Sequence, residues 1–408
     1  MIDPPRLLVL LGSGETAPAM RALHAALLAR AEPGRPRLLL ETTYGFQANE
    51  AEMTARLLEW FAVNVGSPIE PAGLPRLDGP DLLARERGLA RVAEAGYLLA
   101  GPGSPSFACR QWFGTPIPGR MREMLATGGI VVLASAAALT AGARTLPVYE
   151  IYKAGEDPAW LPGLDLLAPW GIDAAIVPHY DNAEGGGHDT RCCFVGESRM
   201  ALLETMLPES AWILGIDEHT ALAIDLAAGT ATISGKGGVT LRGRGGASRI
   251  EAGATVPLAE LRPPGASAPR TPVPATPHEP ATGPASAAGA GGRAGLAAFR
   301  EALAAGETAR AGEIALAAAN AAGSRRDAGD PGDPALAAMI VALADVAAAP
   351  PPVDPRAVAE PFARALLDVR AAVRAEKRWD LSDLIRDRMA EAGVTVRDTP
   401  DGPVWDFS

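Results

Sequence analysis

The sequence predicts an α/β protein with a doubly wound, mostly parallel sheet, followed by a linker and a small helical domain that ends in a short hairpin. Three observations carry this prediction. Short runs of Leu, Ile and Val alternate with helical patterns up to about residue 216, as in a sheet with helices on both faces. Residues 263–293 are rich in Pro, Ala, Gly and Ser and cannot build a core. Ala-rich helical patterns fill the remainder of the chain.

Each predicted strand of the α/β part is an apolar run that ends in turn-forming residues. The predicted strands are Arg6–Leu11, Arg37–Glu41, Gly96–Ala100, Ile130–Leu133, Ala174–Val177 and Trp212–Ile216, and Ala221–Leu226 with Thr230–Ser234 forms a closing hairpin around Gly229. The predicted helices are Met20–Arg30, Glu50–Phe61, Asp81–Ala95 and Ala136–Ala143. Ligands of such sheets bind beyond the carboxyl ends of the strands. We therefore expect the site there.

The predicted domains are residues 1–262, the flexible linker 263–293 and the helical domain 294–408. Predicted helices of the last domain are Gly295–Ala305, Ala309–Ala322, Ala335–Ala348 and Pro361–Arg378, with Phe362, Leu366, Val369 and Val373 on one face of the fourth. Asp380 is expected to cap a further helix with the apolar stripe Leu381, Ile385 and Met389, which ends at Gly393. Residues 394–405 predict a terminal hairpin.

Composition limits the class of function. The 408 residues carry a net charge of −11, which argues against a broad surface for nucleic acid or anionic membranes. Three cysteines fit a reducing compartment better than a disulfide framework. No run reaches transmembrane length and no leader pattern opens the chain, so a soluble cytoplasmic protein without membrane contact is expected. No cofactor is expected, and a homodimer is left open.

Ser135 follows the apolar run Ile130–Leu133 and precedes the small residues 136–143. A Ser at a sharp turn from strand to helix is the layout of a nucleophile elbow, in which backbone N–H groups face a developing oxyanion. The same pattern also suits a Ser that only caps a helix. The location of other polar residues at strand ends favours the first interpretation.

A serine nucleophile requires a base and an acid that orients the base. His179 directly follows the strand Ala174–Val177, whereas His188 lies in the Gly-rich segment 184–188, so His179 is the better candidate. Glu218 follows the strand Trp212–Ile216 and is the candidate acid, with Asp217 as the alternative. A strand-end His that bonds to a carbonyl and a solvated Glu are the structural alternatives.

Four ordered motifs make residues 1 to about 250 resemble the peptidase S51 and cyanophycinase group, which has a class I glutamine amidotransferase-like, flavodoxin-like fold. The motifs are Gly101–Phe107 before a helix, the elbow Leu133–Ala138, Val177–Asp181 around the His, and Gly215–Leu222 around the acid. The resemblance implies Ser135 as the nucleophile, His179 as the base and Glu218 as the acid. It also implies an oxyanion hole made by N–H groups of Gly103 and Ala136, and cleavage of peptide bonds that involve aspartate.

The chain departs from this family at the elbow, where glycines two residues before and after the Ser are replaced by Leu133 and Ala137. The Gly-rich loop has Pro102 and Ser104 where the family is richer in Gly and Asn. Ser104 and Arg191 are candidate substrate-binding residues, Arg191 through a substrate carboxylate. A small peptide or an amino-acid-like molecule is the expected substrate.

Residues 370–405 resemble the C-terminal end of bacterial cysteinyl-tRNA synthetases. The segments 377–387, Gly393 with Val394, and 398–402 carry the resemblance. It implies a contact with tRNA or with a protein, without aminoacylation, because no ATP-binding motif of that enzyme is present. Acidic residues interleave with the basic ones here and weaken an electrostatic grip on RNA.

Other hypotheses stay open at this point. The first is a catalytically silent module that binds an amino-acid-like ligand. A second is a nucleotide site at Gly12-x-Gly14-x-x-Ala17 with Glu41. A metal site formed by His179, Asp181, His188 and Asp189 matches no fixed zinc spacing. Cys109 is a further candidate nucleophile, while Cys192 and Cys193 are most simply buried apolar residues.

Overall fold

The computed structural model describes residues 4–265, 288–323, 338–343, 345, 355–399 and 402–407. It divides into two compact units, residues 1–341 and 342–408. Of the predicted linker, residues 266–287 lie outside the described residues, and a helix already begins at Ala288. The predicted domain boundaries themselves stay predictions.

The first unit is built on a mostly parallel sheet of eight strands. Their order is β14, β11, β10, β1, β5, β4, β2, β3. The strands are β1 (Arg6–Leu11), β2 (Arg37–Leu40), β3 (Glu70–Pro71), β4 (Tyr97–Ala100), β5 (Gly129–Ala134), β10 (Thr220–Asp225), β11 (Thr230–Gly235) and β14 (Thr255–Pro257). Strands β1 to β5 run parallel, whereas β10, β11 and β14 add an antiparallel edge. The predicted α/β class is confirmed.

Four of the strands that follow Ser135 form a second sheet, which the sequence did not predict. Its order is β13 (Gly246–Glu251), β12 (Gly238–Gly243), β9 (Trp212–Ile216) and β8 (Ala174–Val177). Strands β8 and β9 are parallel, but β9 pairs with β12 and not with the main sheet. The reason lies in the hairpin of β10 and β11, because β10 pairs with β1 and occupies that edge. A small ladder, β6 (Arg144–Thr145) with β7 (Leu161–Pro162), completes the strands of this unit in the described residues.

The first unit also contains helices. They are α1 (Arg21–Arg30), α2 (Glu50–Trp60), α3 (Leu82–Glu94), α4 (Pro105–Trp112), α5 (Pro116–Thr127), α6 (Ala136–Leu139), α7 (Val148–Tyr152), α8 (Glu197–Thr205), α9 (Ala288–Ala304) and α10 (Thr308–Gly323). Helices α1 to α8 connect and flank the strands, and α9 and α10 pack against each other. Alternate residues of β1 enter two apolar clusters, with Leu8 and Leu10 in one and Leu7, Val9 and Leu11 in the other. Both faces of the central strand are therefore buried, as its unbroken apolar run predicts.

Helix α6 is shorter than the predicted Ala136–Ala143. It ends at Leu139 because Thr140 closes the last turn, with its N–H and its hydroxyl both bonding to the carbonyl of Ala137. Of the predicted helix Ala335–Ala348, residues 338–343 are helical and most of the others lie outside the described residues. None of the helices in the described ranges has both the length and the hydropathy of a membrane span.

From residue 355 onward, the described part of the second unit contains two helices and a hairpin. They are α11 (Pro355–Ala375), α12 (Trp379–Glu391), β15 (Val394–Thr399) and β16 (Gly402–Phe407). The face of α11 that carries Phe362, Leu366 and Val369 is exposed, and the packed face presents Ala363, Leu367 and Arg370 instead. The guanidinium of Arg370 is bidentate to Asp398 of β15, at 2.7 and 2.9 Å, and so ties the helix to the hairpin.

The predicted cap of α12 is wrong. The helix starts at Trp379 after a turn in which Lys377 has a φ of +61°, so Arg378 occupies the cap position and Asp380 lies in the first turn. Gly393 does end the helix, with a φ of +80° and an N–H bond to the carbonyl of Ala390. The predicted terminal hairpin is confirmed.

Leu10 tests how much the central strand contributes to the core. It is fully buried in β1 between Leu133 of β5 and Leu222 of β10. Leu10→Ala should lower the free energy of unfolding by about 3 kcal/mol, because it removes apolar contacts and leaves a cavity. Urea denaturation followed by tryptophan fluorescence measures the change. Leu202→Ala, which truncates an exposed leucine of α8, should change it by less than about 1 kcal/mol.

Candidate active site

Ser135 stands in a strained turn between β5 and α6. Its backbone has φ +50° and ψ −116°, a region that costs a non-glycine residue about 1–3 kcal/mol. The turn is held in place because its N–H donates to the carbonyl of Leu11 at 3.0 Å. The side chain makes no capping bond to α6. The conformation is thus that of an elbow that directs the hydroxyl away from the helix.

The two residues that replace the family's glycines fit this elbow. Leu133 is a regular member of β5, paired with Leu10 and Ala100, and is fully buried. Ala137 is fully buried in the same apolar cluster. Neither residue displaces Ser135 from its turn. Both side chains are therefore accommodated in the core below a turn that keeps Ser135 at a positive φ.

His179 follows β8 by two residues and also has a positive φ, +48°. Its N–H donates to the carbonyl of Gly12 at 3.1 Å, and its own carbonyl accepts from the N–H of Cys193 at 3.0 Å. With the backbone fixed on both sides, Nε2 of the ring lies 2.8 Å from Oγ of Ser135. In this arrangement Nε2 accepts a hydrogen bond from the hydroxyl of Ser135, and Nδ1 carries the ring hydrogen.

Glu218 lies on the other side of the His179 ring. Its Oε1 is 2.7 Å from Nδ1 and also accepts from the side-chain amide of Asn182 at 2.9 Å. The N–H of Glu218 donates to a carboxylate oxygen of Asp181 at 2.7 Å. Partial burial raises the pKa of the Glu218 carboxyl, but the hydrogen bonds from Asn182 and His179 outweigh it and the pKa lies below its ordinary value. The carboxyl is therefore ionised at neutral pH.

Asp217 and His188, the alternatives to Glu218 and His179, make other contacts. Asp217 is buried away from His179, where it accepts from the N–H of Gly238 and pairs with Arg249. His188 stacks on Tyr152, with ring centroids 6.3 Å apart. The structure thus brings Ser135, His179 and Glu218 together and leaves Asp217 and His188 outside the chain of hydrogen bonds.

The predicted oxyanion donors lie on neighbouring loops. Ala100 of β4 pairs with Leu133 of β5, and Gly103 and Ala136 each follow three residues later. Gly103 has a φ of +138°, and a Cβ there would come within 2.0 Å of the carbonyl oxygen of Thr43, so only glycine fits. Among the described residues, no acceptor is found for the N–H of Gly103 or of Ala136. Their role stays a prediction.

The two candidate substrate-binding residues already have partners. Ser104 is buried and caps α4 by accepting from the N–H of Phe107 at 3.2 Å. Arg191 is exposed and makes a bidentate ion pair with Asp189, with both N–O distances 2.9 Å. A substrate carboxylate would have to share or replace Asp189 on Arg191. Contacts of either residue with substrate stay predictions.

The structure does not favour the nucleotide site, the metal site or Cys109 as a nucleophile. Glu41 is buried and its carboxylate accepts from the N–H groups of Gly73 and Leu74, so it faces no open nucleotide site. No group of three or more His, Cys, Asp or Glu side chains in the described ranges is arranged to hold a metal ion. Cys109 lies buried inside α4.

The sequence analysis missed the residues that position His179. Asp181 and the fully buried Asn182 lie two and three residues after His179. The segment that carries His179 therefore also holds Glu218. A further run, Cys192 to Phe194, has positive φ at three consecutive residues and folds back on the His179 segment. Phe194 contacts the His179 ring, with centroids 5.5 Å apart. The polar pair next to His179 was a visible signal, whereas the strained run was not.

Comparison with known proteins identifies the C-terminal segment. Residues 360–405 match the family model of the cysteinyl-tRNA ligase anticodon binding domain. The cysteine–tRNA ligase of Desulfitobacterium hafniense is 52% identical over 40 residues, and that of Pseudarthrobacter chlorophenolicus is 58% identical over 41. Each match covers 10% of this chain and 8% of the ligase, so the chain spans less than a tenth of either relative. The resemblance noted for residues 370–405 is thereby confirmed.

A solved structure, that of a peptidase from an acI-B1 actinobacterium, is similar over 62% of this chain and 97% of its own. The TM-score is 0.49 and the sequence identity is 19%.

The three cysteines should be unreactive in the folded chain. Burial raises the pKa of Cys109 to about 11 and that of Cys192 to about 12, and it raises that of Cys193 further. At pH 8 only about one in a thousand Cys109 side chains would be a thiolate. Iodoacetamide followed by mass spectrometry should find no modification of native protein and three modified cysteines in guanidinium chloride. Rapid modification of Cys109 by iodoacetamide in the native protein would contradict this prediction and would support Cys109 as a nucleophile.

The lowered pKa of Glu218 predicts a pH-dependent contribution to stability. Because the folded pKa is below the ordinary 4.5, ionised Glu218 stabilises the fold above that value, and the contribution is lost as the pH falls through the lowered pKa. The excess stability of wild type over Glu218→Gln should be full at about pH 6 and shrink below about pH 4.5. Urea denaturation across this range measures it. A difference independent of pH would contradict the prediction, and Glu209→Gln, at an exposed site, is the matched control.

Proposed function

We propose that the chain is a serine hydrolase in which Ser135 is the nucleophile, His179 the general base and Glu218 the acid that orients it. One observation carries the proposal: an unbroken hydrogen-bonded path runs from Oγ of Ser135 through both ring nitrogens of His179 to Glu218, with distances of 2.8 and 2.7 Å. Both contacts lie within the range required for proton transfer. The strained backbone at Ser135 and at His179 agrees with a functional site.

In the proposed reaction, Oγ of Ser135 attacks the scissile carbonyl carbon while Nε2 of His179 takes its proton. Ionised Glu218 stabilises the imidazolium that results. The N–H groups of Gly103 and Ala136 are the proposed donors to the oxyanion. Collapse expels the amine, which takes the proton from Nε2, and leaves an acyl-Ser135 ester. Water, deprotonated by His179, then hydrolyses the ester and restores the serine.

The proposed substrate is a small peptide with a bond that involves aspartate. This specificity follows from the resemblance of the four motifs to the peptidase S51 and cyanophycinase group. Beside the site lies a groove of about 670 Å³ lined in part by Tyr152, His188 and Arg199. Phe194 links Tyr152 to His179 through ring contacts at 5.6 and 5.5 Å. This groove is the proposed seat of the peptide, with Arg199 as the proposed partner of an acidic residue, although Asp189 and Glu197 also line it.

Labelling with a fluorophosphonate tests the proposed nucleophile. The phosphonate should modify Ser135 in wild type, which mass spectrometry of the peptide identifies, and Ser135→Ala should abolish the modification. His179→Ala should slow it by at least about 100-fold, since the base is lost. His188→Ala is the matched control and should retain labelling. A folded chain that stays unlabelled would instead support the silent ligand-binding module.

We further propose that the C-terminal unit contacts tRNA. The match of residues 360–405 to an anticodon-binding family is the observation that favours it. The charges favour only a weak interaction, because Arg374, Arg386 and Arg388 form ion pairs with acidic residues of the same unit. Lys377 and Arg378 lie exposed in the turn between α11 and α12 and are the proposed phosphate contacts, although Arg378 also pairs with Asp380 at 3.5 Å.

Binding of a cysteine tRNA transcript to the full chain, measured by filter retention, tests this contact. We expect binding at about 50 mM salt that weakens sharply at about 200 mM. Replacing Lys377 and Arg378 by alanine should weaken it about tenfold, since two phosphate contacts are lost. The matched control replaces Arg21 and Arg56, two exposed arginines on helices of the first unit, by alanine. It should leave the binding of the tRNA unchanged. Absence of binding at low salt would direct the search to a protein partner.

A further inference from the structure

The loop that follows β1, residues 12–17, is held rigidly beside the proposed site. The carbonyl of Gly12 accepts from the N–H of His179, and Oγ of Ser13 accepts from the N–H of His219 at 3.1 Å. Gly14 has a φ of +67°, and a Cβ there would meet Nδ1 of His219 at 2.3 Å, so the loop packs tightly against that ring. A turn closed by Ala17 and Gly14 presents Glu15 at its tip.

The backbone of Glu15 is held by a hydrogen bond from the side chain of a buried histidine. Nε2 of His24 lies 2.9 Å from the carbonyl oxygen of Glu15 and is the donor in this contact. Burial lowers the pKa of His24 to about 4, so the ring is neutral at physiological pH. The contact is therefore a constant support, which does not switch with pH near neutrality. It leaves the Glu15 side chain free for another role.

The carboxylate of Glu15 lacks a partner of its own. It is half-buried and close enough to His179 for the two to interact electrostatically. Within the described residues, no Lys or Arg pairs with it and no other side chain donates a hydrogen bond to it. Burial raises its pKa, against the opposing effects of its own backbone N–H and of His179. Retaining such a carboxylate costs stability unless a ligand compensates for it.

We infer that Glu15 binds a cationic group of the substrate and holds it next to Ser135. The inference rests on the proposed hydrolase function and adds a second determinant of specificity. In the proposed mechanism His179 is the base and Glu218 is the acid that orients it. Glu15 is therefore not needed for proton transfer. Two sources of the cation fit, the free α-ammonium of a peptide and a guanidinium side chain. Both would form a charge-assisted pair with the carboxylate.

Protection of Ser135 from the fluorophosphonate tests the inference. The probes are aspartyl-glycine, which has a free amine, N-acetyl-aspartyl-glycine, and N-acetyl-aspartyl-arginine, which has a guanidinium. In wild type, a probe with a cation should protect at a concentration at least about tenfold lower than N-acetyl-aspartyl-glycine. Glu15→Gln should abolish this preference. Glu184→Gln, which neutralises an exposed carboxylate of the neighbouring loop, is the matched control and should keep it.

The pattern among the probes identifies the source of the cation, since the preference follows either the free amine or the guanidinium. Equal protection by all three probes in wild type would overturn the role of Glu15 while leaving the hydrolase intact. So would a Glu15→Gln variant that loses protection equally for every probe and shifts the pH profile of labelling, because Glu15 would then act through His179. An unlabelled Ser135 would instead refute the hydrolase on which the inference rests.

Discussion

The end of one strand sets the geometry of the whole site. The last carbonyl of β1, that of Leu11, accepts from the N–H of Ser135, and the next one, that of Gly12, accepts from the N–H of His179. Each bond contributes only about 1 kcal/mol, but together they fix two strained residues from different sheets against one reference point. The 2.8 Å separation of the hydroxyl and the imidazole follows from this shared support. Since β1 is buried on both faces, the reference point is itself rigid.

Much of this arrangement could be read from the sequence. Unbroken apolar runs placed the strands that precede Ser135, His179 and Glu218, because strands buried on both faces require such runs. The split into two sheets could not be read, since it depends on whether β10 or β9 lies beside β1, and both strands carry enough apolar residues for a buried place. Nor could the positive φ of Cys192 and Cys193, because nothing in a cysteine signals a left-handed backbone.

The C-terminal unit shows where a periodic pattern misleads. An apolar stripe on α11 with helical spacing is typical of a packing face, yet Phe362 is 70% exposed. The helix packs through Ala363 and Leu367 and through the nearly buried Arg370, whose fork matches the carboxylate of Asp398. A guanidinium that is both buried and paired is invisible to hydropathy. Recognition of this segment therefore depended on its motif, which the family match confirms.

The location of the three central residues has a mechanical consequence. Ser135 follows β5 of the eight-stranded sheet, and His179 follows β8 of the four-stranded sheet. Glu218 lies in the short connection from β9 of the four-stranded sheet to β10 of the eight-stranded sheet. The hydrogen-bonded path from Ser135 through His179 to Glu218 thus crosses the boundary between the two sheets, and its distances depend on how the sheets are placed against each other. A small slippage of one sheet past the other would open the path before either sheet lost a strand. Agents that loosen this joint, such as pressure or moderate heat, should therefore lengthen the contact between Ser135 and His179 before the fold is lost.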